Sequence, residues 1–507
     1  MGAQKLFGAW LVWEARETVA GSATQRDLHR RFRNAVVQPL KKHKHVSFCF
    51  GLYFYMKLKL HQELYYVTVP VFAKHGHQQV THQSVGLVLP HEMIAHIYRR
   101  GKQEEFLAPA EAPAYWRHVR DRTAWGGQHW ADSDTIPLGL HGDEVRFTTQ
   151  GQKLLGITYN AILADRDHGN IEQRFLFFAM MASEIIRFET LAPVWRVLNW
   201  SLECLQTGTH PTTDHEGRPF KSAVRRERAG APIGARAALV ELRGDWQWHW
   251  FHFGLSAFWQ ATRVCIYCQA SNVSYSDFTQ RAGWRQTHRT HAEFLEECIH
   301  EHAKNLVLTY PGFHLRHIKV CSMHSVNLGY VQEALASAMS ELLCENWWGL
   351  ITDPLTQQVA LATAYLQFKD FCRERRIACS HPRFTAASLG LSNPTAYPFM
   401  HGKAYNLRVV TAWLSTVCVE SATQTPTRHC RQRGACVYWL AEYFLRSELA
   451  PRRQLTQEQA EAIANALDGT LLNYGELALE ASSAGILKWK VLPKFHAMSH
   501  LADFVKA

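Results

Sequence analysis

The sequence predicts a mixed α/β protein of two or three packed units, and three observations carry that expectation. Two apolar stretches, IPLGLHGDEVRF at 136–147 and AALVELRGD at 237–245, are rich in strand-forming residues and run into a Gly-Asp pair. Residues 331–480 hold several long segments with apolar residues at helical spacing. The chain has 507 residues, 47% of them apolar, which is too much for one ordinary core and too apolar for a disordered chain.

Along the chain, residues 1–60 open Trp-rich and then turn basic, from Arg26 to Arg33 and in KKHKH at 41–45. The run VSFCFGLYFYMKLKL that follows has strand composition. PHEMIAHIYRR (90–100) reads as a helix opened by Pro90. Its His91 and His96 are five apart, whereas the zinc-protease motif needs two histidines four apart on one helix face, so that chemistry is excluded. Residues 101–135, with Pro109, Pro113 and Gly126-Gly127, read as a loop-rich connection. The stretch 136–147 reads as a strand ending near Gly142-Asp143, and KLLGITYNAILA (153–164) as a second strand. Residues 171–207 have helical spacing and predict one or two helices. AALVELRGD predicts a strand ending at Gly244-Asp245. The alternation of Trp246, Trp248 and Trp250 places three indoles on one side of an extended segment. From 331 to 480 the pattern is mostly helical.

The net charge of +11, from 55 Lys and Arg against 44 Asp and Glu, suits a polyanionic partner, because each cation set on a phosphate releases a counterion. The 12 cysteines are scattered rather than arranged as a dense framework, which points to reduced thiols and an intracellular compartment. The opening MGAQKLFGAWLVWEARE lacks a basic start followed by a long apolar stretch, so no secretory leader is expected. The longest apolar run, Val46 to Met56, is too short to span a bilayer, so no membrane insertion is expected.

Four groups of residues bear chemistry. Asp143 and Asp245 each follow a Gly at the end of an apolar strand. Carboxylates at the ends of neighbouring strands can share a divalent cation, which suits phosphodiester chemistry; the bland alternative is a Gly-Asp turn. Cys265-Ile-Tyr-Cys268 and Cys321-Ser-Met-His324 each offer two ligands with two residues between them. Together they match a Cys3His structural zinc site, although the 52 residues between the halves mean that only the fold can bring them together; buried small residues are the alternative. His496 and His500, four apart in PKFHAMSHL, share a helix face, with core or capping roles weighed above ligation. The Trp246–Trp250 alternation is read as core packing, with base stacking as the other use of such a row.

The order of these motifs is a strand ending in Gly-Asp, a strand ending in Gly-Asp-Trp, then C-x-x-C and the segment Arg285 to His288. GFHLRHIKVCSMHSVNLG, a long helical region and PKFHAMSHL complete it. The order resembles that of eukaryotic cut-and-paste DNA transposases with a ribonuclease-H-like core, most like the CACTA and Zisupton groups, over roughly 130–507. The resemblance implies an N-terminal α+β region at 1–130 and a ribonuclease-H-like mixed-sheet core with the Cys/His motifs at 131–330. A large, mostly helical insertion at 331–485 interrupts that core, and 486–507 is a return segment. It makes Asp143 and Asp245 the first two metal-binding acids and Cys321 and His324 the pair that supports the site. It implies Mg²⁺ or Mn²⁺ as cofactor, a double-stranded DNA partner, room for an oligomer, and a nuclear location, although KKHKH is too short and His-rich for an import signal.

The family's third acid, a Glu, lies beyond the His-x-x-x-His segment. This chain ends seven residues after His500 with Asp503 as the only acid there, so the resemblance implies a truncated or decayed copy with at most residual cleavage or strand transfer. Glu476 and Glu480 are the fallback third acids, although both precede that segment. Two alternatives stay open: a non-catalytic interaction protein on a zinc-stapled scaffold, and an unrelated metal-dependent nuclease using Asp143 and Asp245.

Overall fold

The structure is a computed structural model that describes residues 63–73, 79–146, 151–164, 174–258, 260–299, 305–451 and 454–506. The basic stretches at 26–33 and 41–45 and the apolar run at 46–56 lie outside the described residues. The fold is mixed α/β. The chain divides into two compact units, one of residues 1–256 with 291–319, the other of 257–290 with 320–507.

The first unit begins with an antiparallel hairpin, β1 (Tyr65–Phe72) and β2 (Val80–Leu87), followed by α1 (Pro90–Arg99) and α2 (Ala112–Arg122). Its centre is a five-stranded mixed sheet. β3 (Ile136–Arg146), β4 (Lys153–Ala161) and β5 (Phe175–Met181) form an antiparallel meander. The chain then crosses through α3 (Leu191–Thr207) and returns as β6 (Ala237–Arg243), parallel to β3. A short helix, α4 (Trp246–Phe251), follows. The two-residue β7 (Ile318–Lys319) pairs parallel to β6, giving the order β5-β4-β3-β6-β7.

Alternation along β3 sorts its two faces. Leu138 and Leu140, with Leu239 of β6, meet Leu198 and Leu202 of α3, and Gly142 continues that row beneath Trp248. On the opposite face, a register shift after Leu138 brings Glu241 beside Gly139 and Arg243 beside His141. The lower part of that face is closed by Trp116 and Val119 of α2 against Ala238 and Val240. Its upper part stays polar.

Four expectations need correction. Residues 101–135 are not all loop, since the helix α2 lies within them. β3 does not end at Gly142-Asp143 but runs to Arg146, because its antiparallel pairing to β4 continues through Arg146↔Lys153 after the parallel pairing to β6 has stopped. The segment 171–207 is not all helix. Its first part, FLFFAMM, is the edge strand β5, where a solid apolar run that fits either period is claimed by the ladder to β4. The Trp246–Trp250 segment is helical rather than extended, since the Asp245 side chain accepts from the Trp248 amide at 2.6 Å and caps it. Trp248 alone of the three is buried, edge-on to Trp195 and beside Phe253.

The second unit is helical, as the spacing of 331–480 predicts. A π-helical turn (Met323–Tyr330) runs directly into α5 (Val331–Cys344), and α6 (Pro354–Glu374), α7 (Ala404–Gln424), α8 (Arg428–Leu449), α9 (Gln457–Ser483) and α10 (Pro493–Lys506) follow. Capping side chains set several starts: Asp353 for α6, Thr427 for α8 and Thr456 for α9, the last in a reciprocal box with Gln459. The core gathers Tyr330, Met339, Trp413, Leu467, Tyr474 and Phe495. Arg433 is fully buried within it and forks onto Glu345 at 2.6 and 2.7 Å, with Glu341 at 3.4 Å and Ser421 at 2.8 Å.

Candidate metal centres

The acid pair lies in the first unit. The last paired residues of the parallel ladder between β3 and β6 are His141 and Arg243. Asp143 and Asp245 each stand two positions beyond that pair, Asp143 still within β3 and Asp245 just past the end of β6. Asp143 is held in place by its pairing with Gly156 of β4. Asp245 is held by its capping of α4 through Oδ1, and a carboxylate that caps with one oxygen keeps a second for another ligand. Gly142 and Gly244 precede the two acids because the Trp248 indole lies where a Cβ at either position would project. The Gly-Asp repeat therefore does more than open turns: the two glycines admit the indole, and each is followed by its acid.

The electrostatics fit a cation. Burial first, and the charge of Asp245 second, push the Asp143 carboxyl up to about 6. A like-charged neighbour in a desolvated place disfavours ionisation, and a bound cation reverses that penalty. The adjacent Glu144 is committed elsewhere, with His252 Nε2 at 2.9 Å and Lys153 Nζ at 3.0 Å. Arg243 donates to Asn160 Oδ1 and lies 3.5 Å from Glu241. Lys319 pairs with Arg243 in the ladder to β7, and burial pulls its amino group below the usual lysine range.

The second centre lies in the helical unit. Cys265, Cys268, His496 and His500 are all buried, and their ligand atoms lie within 4.8 Å of one another. Cys268 Sγ is 3.2 Å from His496 Nε2, Cys265 Sγ is 3.3 Å from His500 Nε2, and the two Nε2 atoms are 3.1 Å apart. Two thiols and two imidazoles converging this closely form a donor set that could hold a metal such as zinc, with tetrahedral Cys2His2 chemistry. The helix presents its two histidines at i and i+4, and the Cys-x-x-Cys turn presents both sulfurs from a loop. The Cys265 thiol, then the two imidazoles, hold the Cys268 thiol well below the usual range, and burial pushes Cys265 up. Thiolate character is what metal ligation requires.

The predicted zinc set is therefore only half assembled as expected. Cys265 and Cys268 meet His496 and His500, while Cys321 and His324 pair with each other, Sγ to Nδ1 at 3.1 Å, at the mouth of the π-helical turn. Partner choice follows the fold: α10 lies against the Cys-x-x-Cys loop, and Cys321-x-x-His324 is absorbed into the start of a helix. The usable signal for His496 and His500 was their four-residue spacing. The fallback acids Glu476 and Glu480 lie on α9, in the unit that does not carry Asp143. Glu476 pairs with Arg428 and Glu480 with His429, each at 3.0 Å. No protein-family model matches this chain, and no curated protein matches it. Among the described residues, no helix is long and apolar enough to cross a membrane.

Proposed function

We propose that this chain is a ribonuclease-H-like, transposase-related protein that binds double-stranded DNA and holds Mg²⁺ or Mn²⁺ between Asp143 and Asp245. The observation that carries the reading is the placement of these two acids, each two positions past the last pair of the parallel ladder, Asp143 still within β3 and Asp245 just beyond β6 at the cap of α4, near enough for the charge of Asp245 to act on Asp143. A meander of three antiparallel strands extended by two parallel ones, with a crossover helix between, is the sheet plan of that class and supports the same reading. So does the order of the motifs through PKFHAMSHL.

A divalent cation bound there supplies Lewis acidity for cutting or joining a phosphodiester. The chain's own part is to hold one carboxylate on β3 and the other at the cap of α4. The net charge of +11 favours DNA in general. With Glu476 and Glu480 engaged in ion pairs of the helical unit, cleavage is expected to be weak. The Cys2His2 group is read as a structural zinc centre. A nuclear location goes with the DNA reading.

The test is nicking of plasmid DNA in Mn²⁺ by the full chain, with Mn²⁺ binding and salt-dependent DNA binding measured alongside. Mn²⁺ binding lost in Asp143→Asn and Asp245→Asn, with DNA affinity falling steeply with salt, supports the proposal. Absence of both overturns it and leaves the second reading, a zinc-stapled interaction scaffold, which the buried Cys2His2 group favours. Nicking of generic DNA without tight duplex binding favours an unrelated nuclease.

A further inference from the structure

A tetrahedral metal takes four protein ligands, and Cys265, Cys268, His496 and His500 supply them. Ligation through His500 Nε2 requires the proton on Nδ1, and the group that accepts that proton fixes both the tautomer and the ring's orientation. Asp503 lies one turn further along α10. Its Oδ2 is 3.6 Å from His500 Nδ1, and both atoms are buried without a hydrogen-bond partner. A buried ring nitrogen and a buried carboxylate oxygen thus face each other on one helix face, the arrangement in which a carboxylate can accept the N–H of a ligating imidazole.

The carboxylate is itself steadied. Arg285 Nη1 lies 3.6 Å from Asp503 Oδ1, and the same guanidinium reaches Asp468 of α9 at 3.8 Å, where Lys506 also pairs at 2.9 Å. Arg285 belongs to the segment that carries the Cys-x-x-Cys turn, so one cation links the loop that supplies the thiols to the helix that supplies the imidazoles. Trp284, next to it, sets its ring edge-on to His496 with centroids 4.4 Å apart.

We propose that Asp503 is the positioning residue of this centre: it accepts the Nδ1–H of His500, with Arg285 holding it in place, and so presents Nε2 to the metal. The last acid of the chain is thereby assigned to the Cys2His2 centre and not to the acid pair on the sheet. This rests on the metal reading of the four-ligand group and is independent of the reading of Asp143 and Asp245.

The experiment uses the full chain as parent, Asp503→Asn, Asp503→Ala and the control Cys268→Ser. Zinc affinity is measured by competition with a chromophoric chelator, and the site's geometry by the absorption of the Co²⁺-loaded protein. The parent is expected to bind one equivalent, with a thiolate-to-cobalt band that Cys268→Ser weakens. Asp503→Ala is expected to lose about 10–100-fold in affinity, the usual cost of removing such a partner, while keeping a four-coordinate cobalt spectrum. Asp503→Asn, which keeps the shape and a carbonyl acceptor, is expected to fall between and guards against misfolding in the alanine variant. A parent that binds no zinc overturns the metal reading and the proposal together. A parent that binds zinc, with Asp503→Ala within about twofold of it, overturns the role of Asp503 alone. Loss of Mn²⁺-dependent nicking in Asp503→Ala at unchanged zinc affinity also overturns it, by returning that acid to the DNA chemistry.

Discussion

Replacing Asp143 by Asn should stabilise the metal-free protein, and the size follows from the environment of the carboxyl. The group titrates near 3.8 in an unfolded chain and at about 6 in the fold, a rise caused by burial and by Asp245. For an acid whose folded value is raised, its share of stability is fully present below the unfolded value and is lost as pH climbs through the folded one. Two pH units correspond to about 3 kcal/mol. Asp143 is only partly buried, and water at its open edge screens the charge, which brings the expected gain at pH 7.5 to roughly 1–2 kcal/mol. That is roughly 2–8 °C in melting temperature for a unit of this size.

Thermal unfolding of parent and Asp143→Asn at pH 4 and pH 7.5, with and without MnCl₂, tests this. At pH 4 the two should nearly coincide. At pH 7.5 without metal the variant should be the more stable, and Mn²⁺ should raise the parent while leaving the variant unmoved. A variant less stable than the parent at pH 7.5, or a difference of equal size at both pH values, would refute the electrostatic account. A Mn²⁺ shift that survives in the variant would remove Asp143 from the cation site.

Three further outcomes are expected. Gly142→Ala puts a Cβ into the Trp248 indole and should cost about 1–3 kcal/mol, as overpacking does; a change under ~0.5 kcal/mol in denaturant titration would show that the indole can step aside. Arg433→Ala leaves Glu341 and Glu345 without their buried cation and should cost about 3–5 kcal/mol in the helical unit, whereas an apolar replacement combined with Glu345→Gln should recover much of it. The His429 imidazole is raised to about 9, chiefly by its hydrogen bond to Glu341, with Glu480 on its other nitrogen. Its stabilisation is therefore fully present below 6.5 and lost as pH rises through about 9. His429→Gln should flatten that part of the stability profile, and an unchanged alkaline slope would count against the bridge.

The readings from sequence succeeded where a pattern has a single physical solution. Long helical spacing over 331–480 became α5 to α9 because a 3.6-residue apolar row can be buried only as a helix. IPLGLHGDEVR and AALVELR became neighbouring strands for the complementary reason. FLFFAMM defeated the pattern because a solid apolar run satisfies both periods, and the partner strand β4 decided between them. The indole row defeated it because Asp245 caps a helix, an effect of one side chain that no periodicity reports.

The sites divide in the same way. Residue type and spacing alone marked out the acids after glycine, the Cys-x-x-Cys turn and the two histidines four apart, because ligand chemistry and helix geometry are local. Which of them share a centre is a property of contacts across long stretches of chain. Cys265 joins His500 over 235 residues, and Asp245 comes near Asp143 only because β6 pairs in parallel with β3. The sequence by itself determined the donors. Tertiary structure alone decided their company, since packing and strand register bring distant residues together and no local preference encodes them.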